Sequence, residues 1–213
     1  MATQKNDNEL YFEWWLEELK SVGLVKVYER ECETYKVQQP VVVFYKQHYV
    51  RKEAIFRNFD LVSPIVYTPD YEVVFSEKLM NKLFGFIDTD TMTMVEYEPL
   101  EKGNYYQETL FYTTVREFED FRVIFDVKPP SKALQFSGKL GSSREFPVKR
   151  ALLFENHKLI ANKVVPVGSE TSLFKKTFMP KRYRYTDGGT MLRKIKGKYR
   201  SLEEWLNEKD IKL

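Results

Sequence analysis

An aspartate and a lysine occupy alternate positions at the end of one predicted strand. The segment FRVIFDVK, residues 121–128, is rich in β-branched and aromatic residues, and this composition favours a strand. Because side chains alternate between the two faces of a strand, Asp126 and Lys128 should project from the same face. A double proline follows and ends the strand. An acid and a cation aligned at a strand end indicate a chemical site.

Two further carboxylates, Asp70 and Glu9, complete a candidate constellation. Asp70 follows a proline in YTPDY, and Glu9 lies in the first turn of the first predicted helix. Carboxylates near adjacent strand ends suit a hard cation such as Mg²⁺, which keeps several waters for substrate phosphate. A bound cation makes its water more acidic and offsets charge that grows on a phosphodiester. We therefore expect Asp70, Asp126 and Glu9 to bind Mg²⁺, for which Mn²⁺ could substitute, while Lys128 positions the attacking water.

Other roles are open to the same side chains. Asp70 could be a turn residue after its proline, and the strand-end pair could be an exposed ion pair that contributes little energy. Glu9 could simply be a first-turn acid that interacts with the helix dipole. Glu13, one turn later, could take the place of Glu9. Glu72 shares a strand face with Asp70 and could be a further ligand.

The hydrophobic pattern predicts an α/β or α+β fold with a mixed sheet. A helix is expected over 9–22, capped by Asp7 or Asn8 and ended at Gly23. We expect two strands within 24–46, separated at Gln38-Gln39-Pro40, and one strand over 65–75. Later elements are expected as follows: β-hairpins or a sheet extension within 77–120 around Lys102-Gly103-Asn104, a loop at 129–143, a helix over 145–157, a strand over 158–167, and a helix over 202–209 with a Ser201/Glu204 capping box.

The composition limits the classes of protein to which the chain can belong. The chain has 213 residues, of which 43% are hydrophobic and 15% aromatic, so it can bury a substantial core. Cys32 is the single cysteine, which excludes an internal disulfide and a cysteine zinc site, and His48 and His157 are expected to be structural or surface residues. No apolar run approaches a membrane span, and the first ten residues lack the apolar core of a secretory signal. A reducing, cytoplasmic location is the simplest expectation.

Charge is distributed unevenly along the chain. Residues 1–130 contain 15 Lys and Arg against 23 Asp and Glu, whereas residues 131–213 contain 19 against 8. The densest segment, 171–200, has ten Lys or Arg, one Asp, and interleaved Phe and Tyr, a pattern that suits a polyanion with stackable bases. Tyr183 and Tyr185 would be available for stacking. The residues expected to contact nucleic-acid phosphates here are Lys175, Lys176, Lys181, Arg182, Arg184, Arg193, Lys194, Lys196, Lys198 and Arg200.

YTPDY followed by a strand that ends in FDVK resembles the PD-(D/E)XK nuclease superfamily. The resemblance implies a restriction-endonuclease-like mixed sheet flanked by helices, in which a hairpin delivers an aspartate and then an acid-x-lysine. It implies a nuclease-like domain over 1–170 with a β-rich insertion at 77–120, and a basic extension over 171–213. Fifty-five residues lie between Asp70 and Asp126, so this insertion must loop out without separating their strands.

The first helix with Glu9 and the Gln39-Pro40 element is similar to phage-type Holliday junction resolvase-like endonucleases. In that pattern the helix glutamate joins the metal site, and Lys149 and Arg150 on the later helix would face DNA. The resemblance implies a metal-dependent DNA endonuclease selective for branched DNA, a homodimer, and host cytoplasm as the location of a phage-encoded protein. YTPD and VKP also resemble the endonuclease subunit of heteromeric transposases, which would require a partner recombinase.

Two other classes of function are open. GFIDTDTMT, residues 85–93, resembles the first motif of haloacid-dehalogenase-type phosphatases, where Asp88 would be the nucleophile and Asp90 the acid/base. A polar strand end or turn is the simpler interpretation of this segment. The chain could also be a non-catalytic nucleic-acid-binding or virion-associated protein that keeps a nuclease-like fold, with the basic segment performing its function.

Overall fold

The computed structural model describes residues 6–31, 33–50, 53–95, 110–114, 122–130, 140–167, 172–184 and 200–213. The helices are α1 (Asp7–Ser21), α2 (Glu77–Leu83), α3 (Leu140–His157), α4 (Leu173–Lys176), α5 (Lys181–Arg184) and α6 (Leu202–Glu208). The strands are β1 (Val25–Arg30), β2 (Tyr35–Gln38), β3 (Val41–Val50), β4 (Glu53–Val62), β5 (Ile65–Tyr67), β6 (Tyr71–Phe75), β7 (Phe84–Asp88), β8 (Thr93–Val95), β9 (Phe111–Thr114), β10 (Arg122–Val127) and β11 (Ala161–Val164). None of the described helices is long and apolar enough to cross a bilayer.

A four-stranded mixed sheet forms the centre of the fold, in the order β1-β6-β10-β11. The pairs β1–β6 and β6–β10 are antiparallel, whereas β10 and β11 run parallel and are connected through α3. One face of the sheet packs on α1 in the larger hydrophobic core, and the other packs on α3 in a smaller one. The α/β class is therefore confirmed at this level, as a mixed sheet covered by a helix on each face.

Helix α1 has a defined start and a defined end. The side chain of Asn6 accepts hydrogen bonds from the backbone N–H groups of Asn8 and Glu9, so the cap is Asn6 and the prediction of Asp7 or Asn8 is wrong. At the other end, Gly23 has φ 74° and its N–H donates to the Lys20 carbonyl, which confirms the predicted glycine stop. The buried side of α1 carries Phe12, Trp15, Leu16 and Leu19.

The predicted strands between residues 24 and 75 are more interrupted than the sequence pattern suggests. Residues 24–46 contain three strands instead of two, because the chain also turns after β1, where Glu31 has a left-handed φ of 48°. The predicted strand 65–75 is two strands in different sheets, β5 paired with β2 and β6 with β1 and β10. Pro69 lies in the break between them and has no N–H to continue a ladder.

A long two-stranded ribbon extends from the β2–β5 pair. Strands β3 and β4 pair antiparallel from Val41 opposite Val62 to Val50 opposite Glu53, so β2–β3 and β5–β4 form one interrupted ladder. Apolar side chains at the base of this ladder are exposed to solvent, namely those of Val41, Val42, Leu61, Val62 and Val66.

The insertion between β6 and β10 leaves their pairing intact. It begins with α2, which the sequence did not predict, and continues into a separate three-stranded sheet in the order β8-β7-β9. Within it β7 and β8 form the expected kind of antiparallel hairpin, whereas β7 and β9 are parallel. The predicted turn at Lys102-Gly103-Asn104 lies outside the described residues. Because Arg122 pairs with Val74, the insertion leaves the hairpin at the end opposite Asp70.

The later elements largely follow the sequence pattern. Strand β10 confirms the prediction at FRVIFDVK, and β11 lies within the predicted 158–167. Helix α3 confirms the helix over 145–157 but begins earlier, at Leu140, and includes Pro147. The capping box of Ser201 and Glu204 is present at the start of α6, as predicted. Residues of α4, α5 and α6 bury apolar side chains in the larger core, so the described part of 171–213 packs against α1.

Replacing Trp205 by alanine should destabilise the whole domain. The Trp205 ring is completely buried and lies 5.4 Å from the Phe178 ring centroid, so its removal leaves a large cavity in the main core. We expect the free energy of unfolding in urea to fall by about 3–5 kcal/mol, as for other buried aromatic residues. The exposed Val148→Ala is the control. Unchanged global unfolding in Trp205→Ala would mean that the C-terminal segment unfolds as a separate unit.

Candidate active site

The register of the central hairpin brings the two predicted aspartates together. Tyr71 of β6 pairs with Phe125 of β10, so the next position along each strand places Asp70 beside Asp126. The contact is fixed by a backbone hydrogen bond, since the N–H of Val127 donates to Oδ2 of Asp70 at 2.6 Å. The separation of 55 residues in sequence therefore has no effect at the site, because the insertion leaves from the other end of the hairpin.

Lys128 is bound to the same carboxylate pair. Its Nζ donates to Oδ1 of Asp126 at 2.7 Å, and the two side chains are 17% and 4% exposed. The ammonium also lies 5.7 Å from the centroid of the Phe146 ring, on α3. The alternative of an exposed surface pair is therefore wrong, because the Asp126 carboxylate is buried and the lysine is held between it and an aromatic ring.

Burial raises the pKa of Asp70 to about 7, and the neighbouring Asp126 carboxylate adds to the rise. Lys128 and the N–H of Val127 act in the opposite direction. Two carboxyl groups in contact resist simultaneous ionisation, because each charge repels the other in a poorly solvated site. Near neutral pH a fraction of Asp70 therefore keeps its proton unless a cation neutralises the site.

The donor set fits a hard divalent cation in part. Oδ2 of Asp126 is buried and has no hydrogen-bond partner among the described residues when both acids are ionised, so one ligand oxygen is available. Two carboxylates with waters are a typical Mg²⁺ environment. In the part of the chain that the structure describes, however, no three His, Cys, Asp or Glu side chains group around one point. The pair of aspartates, and not a set of three, is what the geometry brings together.

Glu9 is held by a different partner. Nη2 of Arg30, at the end of β1, donates to its carboxylate, and so does the side-chain amide of Asn6. Burial raises the pKa of Glu9, Arg30 opposes this rise, and the charge of Asp70 adds to it, so the acid lies within electrostatic range of the pair. The hydroxyl of Tyr71 also donates to the Glu9 carbonyl at 3.2 Å. The role of Glu9 as a third metal ligand stays a prediction.

The alternative acids have other partners. Glu72 forms an ion pair with Arg122 at 2.7 Å, and Glu13 hydrogen-bonds Tyr28. Asp88 accepts the backbone N–H groups of Asp90 and Thr91, which lowers its pKa and closes the turn between β7 and β8. This geometry matches the simpler interpretation of GFIDTDTMT as a strand end and turn.

The cations predicted to contact DNA differ in their exposure and in their ion-pair partners. Lys175, Lys176 and Lys181 are exposed, whereas Arg182 pairs with Glu17 and Arg200 with Glu208, both at 2.6 Å. On α3, Lys149 lies 3.5 Å from Glu145, and Arg150 is half-buried. Residues outside the described part are Tyr185, Arg193, Lys194, Lys196, Lys198 and Cys32, together with the side chains of Arg184 and His48.

Tyr183 does not serve as a stacking platform. Its ring is 2% exposed and packs edge-on against Tyr11 at 4.4 Å, so the prediction that it stacks on bases is wrong. Its position on α5 turns it towards the main core, where an aromatic ring gains more from burial than from exposure. His157 is structural, as predicted, because its Nε2 contacts the Lys36 carbonyl at 3.0 Å and its ring packs on Tyr35.

Sequence reasoning missed Arg30 and Tyr67. Arg30 ends β1 directly opposite Tyr71, and this pairing places it beside Glu9. Tyr67 precedes the break at Pro69 and is buried in the smaller core. A signal for Tyr67 exists in the motif YTPD itself, whose first residue is only three positions from Asp70.

The fold and site together define an α/β protein with a paired-aspartate and lysine site at the end of a mixed sheet. Comparison of the chain with protein-family models, with curated proteins and with solved structures finds no match. The interpretation of the site therefore rests on its own residues and geometry.

Replacing Asp70 by asparagine should change the pH dependence of stability. Between pH 4 and 7 folded Asp70 keeps a proton that the unfolded chain releases, so wild-type stability falls as pH rises, by at most about 1.4 kcal/mol per pH unit. Asparagine keeps an oxygen for the Val127 N–H but carries no charge. With EDTA present, the stability of Asp70→Asn relative to wild type should therefore increase by about 2 kcal/mol from pH 5 to pH 8.

The control for this measurement is Asp88→Asn. Asp88 is exposed and its pKa is lowered, so it is ionised at both pH values and its replacement should give a constant difference. A constant difference for Asp70→Asn as well would contradict the raised pKa of Asp70.

Proposed function

We propose that the protein is a metal-dependent DNA endonuclease that hydrolyses phosphodiester bonds. The observation that carries this proposal is the buried pair of Asp70 and Asp126, with Lys128 bound to one of them at a strand end. Paired carboxylates with an unpartnered oxygen suit Mg²⁺ or Mn²⁺, and an adjacent lysine suits the orientation of water. This is the set that the resemblance to the PD-(D/E)XK superfamily implies.

The connectivity of the core supports the same proposal. Helix α1, the three antiparallel strands β1, β6 and β10, helix α3 and the parallel strand β11 follow one another in an α-β-β-β-α-β order when the insertions are set aside. This order agrees with a restriction-endonuclease-like fold, in which a hairpin carries the first acid and the acid-x-lysine. Both acids occupy the expected ends of such a hairpin.

Each residue has a role in the proposed reaction. Asp70 and Asp126 would hold the cation, which supplies a more acidic water and charge neutralisation at the phosphate. The Val127 N–H fixes the orientation of Asp70. Lys128, held by Asp126 and the Phe146 ring, would donate a hydrogen bond to the attacking water. Arg30 holds Glu9 at the margin of this site, from which the glutamate would support the ligand shell.

DNA is the proposed substrate because of the charge distribution. The exposed cations of α4 and α5 belong to the most basic segment of the chain, and such segments bind phosphate backbones without reading sequence. The resemblance to resolvase-like endonucleases extends the proposal. It adds selectivity for four-way junctions, a homodimeric state and a cytoplasmic location.

Cleavage of labelled DNA tests the proposal directly. Wild type should cut four-way junction in preference to flap, duplex and single-stranded DNA with Mg²⁺ or Mn²⁺, and should be inactive in EDTA. Asp126→Asn and Lys128→Ala should each lower the single-turnover rate by at least about 100-fold, because each removes a group that acts on the reacting phosphate or water.

Asp88→Asn is the matched control, since it removes an aspartate that the nuclease site does not use. Loss of cleavage in Asp88→Asn, with cleavage retained in Asp126→Asn, would place the reaction away from the aspartate pair and overturn the proposal. Tight DNA binding by the wild type without cleavage of any substrate would favour the non-catalytic binding protein or a subunit that requires a partner.

Charge reversal at Lys175 and Lys176 should weaken DNA binding without affecting the acid pair. These lysines are exposed, so Lys175→Glu with Lys176→Glu should raise Kd and reduce the dependence of log Kd on log salt by about one per lost phosphate contact. Binding is measured with Ca²⁺ between 50 and 200 mM salt. Lys82→Glu, an exposed lysine of α2, is the control. An unchanged slope would remove α4 from the DNA interface.

A further inference from the structure

Tyr67 has a buried hydroxyl for which the described residues provide no partner. The side chain is 5% exposed, and its oxygen is fully buried without a hydrogen bond. Buried hydroxyl groups nearly always have a hydrogen-bond partner, because burial removes their hydrogen bonds to water and an unpaired group gains none in return. Tyr67 differs from other buried side chains in lying within electrostatic range of Asp126 and Asp70, so its hydroxyl is available to a ligand that binds at the acid pair.

The position of Tyr67 connects it to the acid pair. It ends β5 and packs in the smaller core with Ile124 of β10 and Phe146 of α3. Ile124 lies on the same face of β10 as Asp126, two positions earlier. Phe146 is the ring beneath the Lys128 ammonium. Tyr67 therefore lies in the layer of side chains that forms the α3 side of the site.

The surrounding charges favour the protonated hydroxyl. Burial raises the pKa of Tyr67, and the carboxylates of Asp126 and Asp70 raise it further, while Arg150 on α3 acts in the opposite direction. The tyrosine is therefore a hydrogen-bond donor at neutral pH. The two acids and the Arg150 cation act on its hydroxyl, and Lys128 lies on the Phe146 ring of the same core, so groups suited to a cation and to a phosphate surround this position.

A second unpartnered atom occurs in the same site. Once both acids are ionised, Oδ2 of Asp126 is buried without a partner among the described residues, as the hydroxyl of Tyr67 is. The Asp126 oxygen can bind a cation or accept a hydrogen bond, and the Tyr67 hydroxyl can donate one. A bound phosphodiester with its cation would satisfy both, since the cation binds carboxylate oxygen and a phosphate oxygen accepts a hydroxyl proton.

We propose that Tyr67 is a substrate-contacting residue whose hydroxyl donates a hydrogen bond to a non-bridging oxygen of the scissile phosphate. This inference rests on the proposed function and adds a residue to it. By holding this oxygen, Tyr67 would orient the phosphate toward the attacking water that Lys128 positions. The metal ligands remain Asp70 and Asp126, so loss of the hydroxyl should leave cation binding unchanged.

Tyr67→Phe tests the inference because it removes only the oxygen. Its midpoint of urea unfolding should equal or exceed that of wild type, since no protein hydrogen bond is lost. With Ca²⁺ replacing Mg²⁺, its Kd for uncut four-way junction should rise about 3- to 10-fold. Under Mg²⁺, the single-turnover cleavage rate at saturating DNA should fall about 10- to 100-fold, while the Mg²⁺ concentration for half-maximal rate stays the same.

Tyr35→Phe is the matched control. Tyr35 pairs with Tyr67 in the β2–β5 ladder and belongs to the same core, but its ring faces His157. It should bind and cut DNA as wild type does. Equal losses in both variants would assign Tyr67 a packing role and overturn the inference, as would an unfolding midpoint lowered in Tyr67→Phe alone.

Failure of the inference is distinguishable from failure of the proposed function. Wild-type cleavage that Tyr67→Phe retains in full would overturn the tyrosine contact and leave the endonuclease standing. Absence of cleavage by wild type would overturn an endonuclease that acts alone, and the Ca²⁺ binding measurement would then decide whether Tyr67 contacts a DNA phosphate. Weaker binding by Tyr67→Phe alone supports that contact, and equal binding overturns it.

Discussion

The antiparallel register between β6 and β10 is the constraint on which the site depends. It sets Tyr71 against Phe125 and thereby sets two carboxylates side by side in a buried position. That contact is electrostatically unfavourable by itself, because two negative charges in a poorly solvated region repel. It persists since the same hairpin provides a backbone N–H to one acid and a lysine to the other. The local chemistry is thus a direct product of strand pairing.

Packing on the opposite face holds this register in place. Phe12 of α1 lies 5.3 Å from the Tyr71 ring and 5.2 Å from the Phe125 ring, so one aromatic side chain contacts the residue adjacent to each aspartate. A slip of one position in either strand would turn its ring out of the larger core and its aspartate into it. The aromatic cluster beneath the sheet therefore maintains the alignment of the charged groups above it, so α1 supports the site through its packing.

Local patterns predicted the parts of the structure that local forces determine. The strand at Asp126, the shared face of Asp126 and Lys128, and the glycine end of α1 all follow from alternation or backbone sterics within a few residues. The contact of Asp70 with Asp126 was expected from their strand-end positions and from the family resemblance, but the pairing that brings them together could not be read from local patterns, because register depends on distant segments. The Arg30–Glu9 pair and the burial of Tyr183 could not be predicted, since both depend on how separate elements pack. The break at Pro69 was misread because apolar residues continue across it and conceal the change of sheet.

The two ends of the β6–β10 hairpin differ in how much change they tolerate in the chain that adjoins them. The long excursion through α2 and β7–β9 joins the strands at Phe75 and Arg122, a full strand length from the aspartates. Loop-closure entropy rises only slowly with length, so the size of this excursion has little influence on the hairpin. For protein engineering the exposed β7–β8 turn at residues 90–92 is therefore a splice point: a reporter or targeting domain inserted there would leave the geometry of the charged groups unchanged, whereas an insertion between Tyr67 and Tyr71 would not.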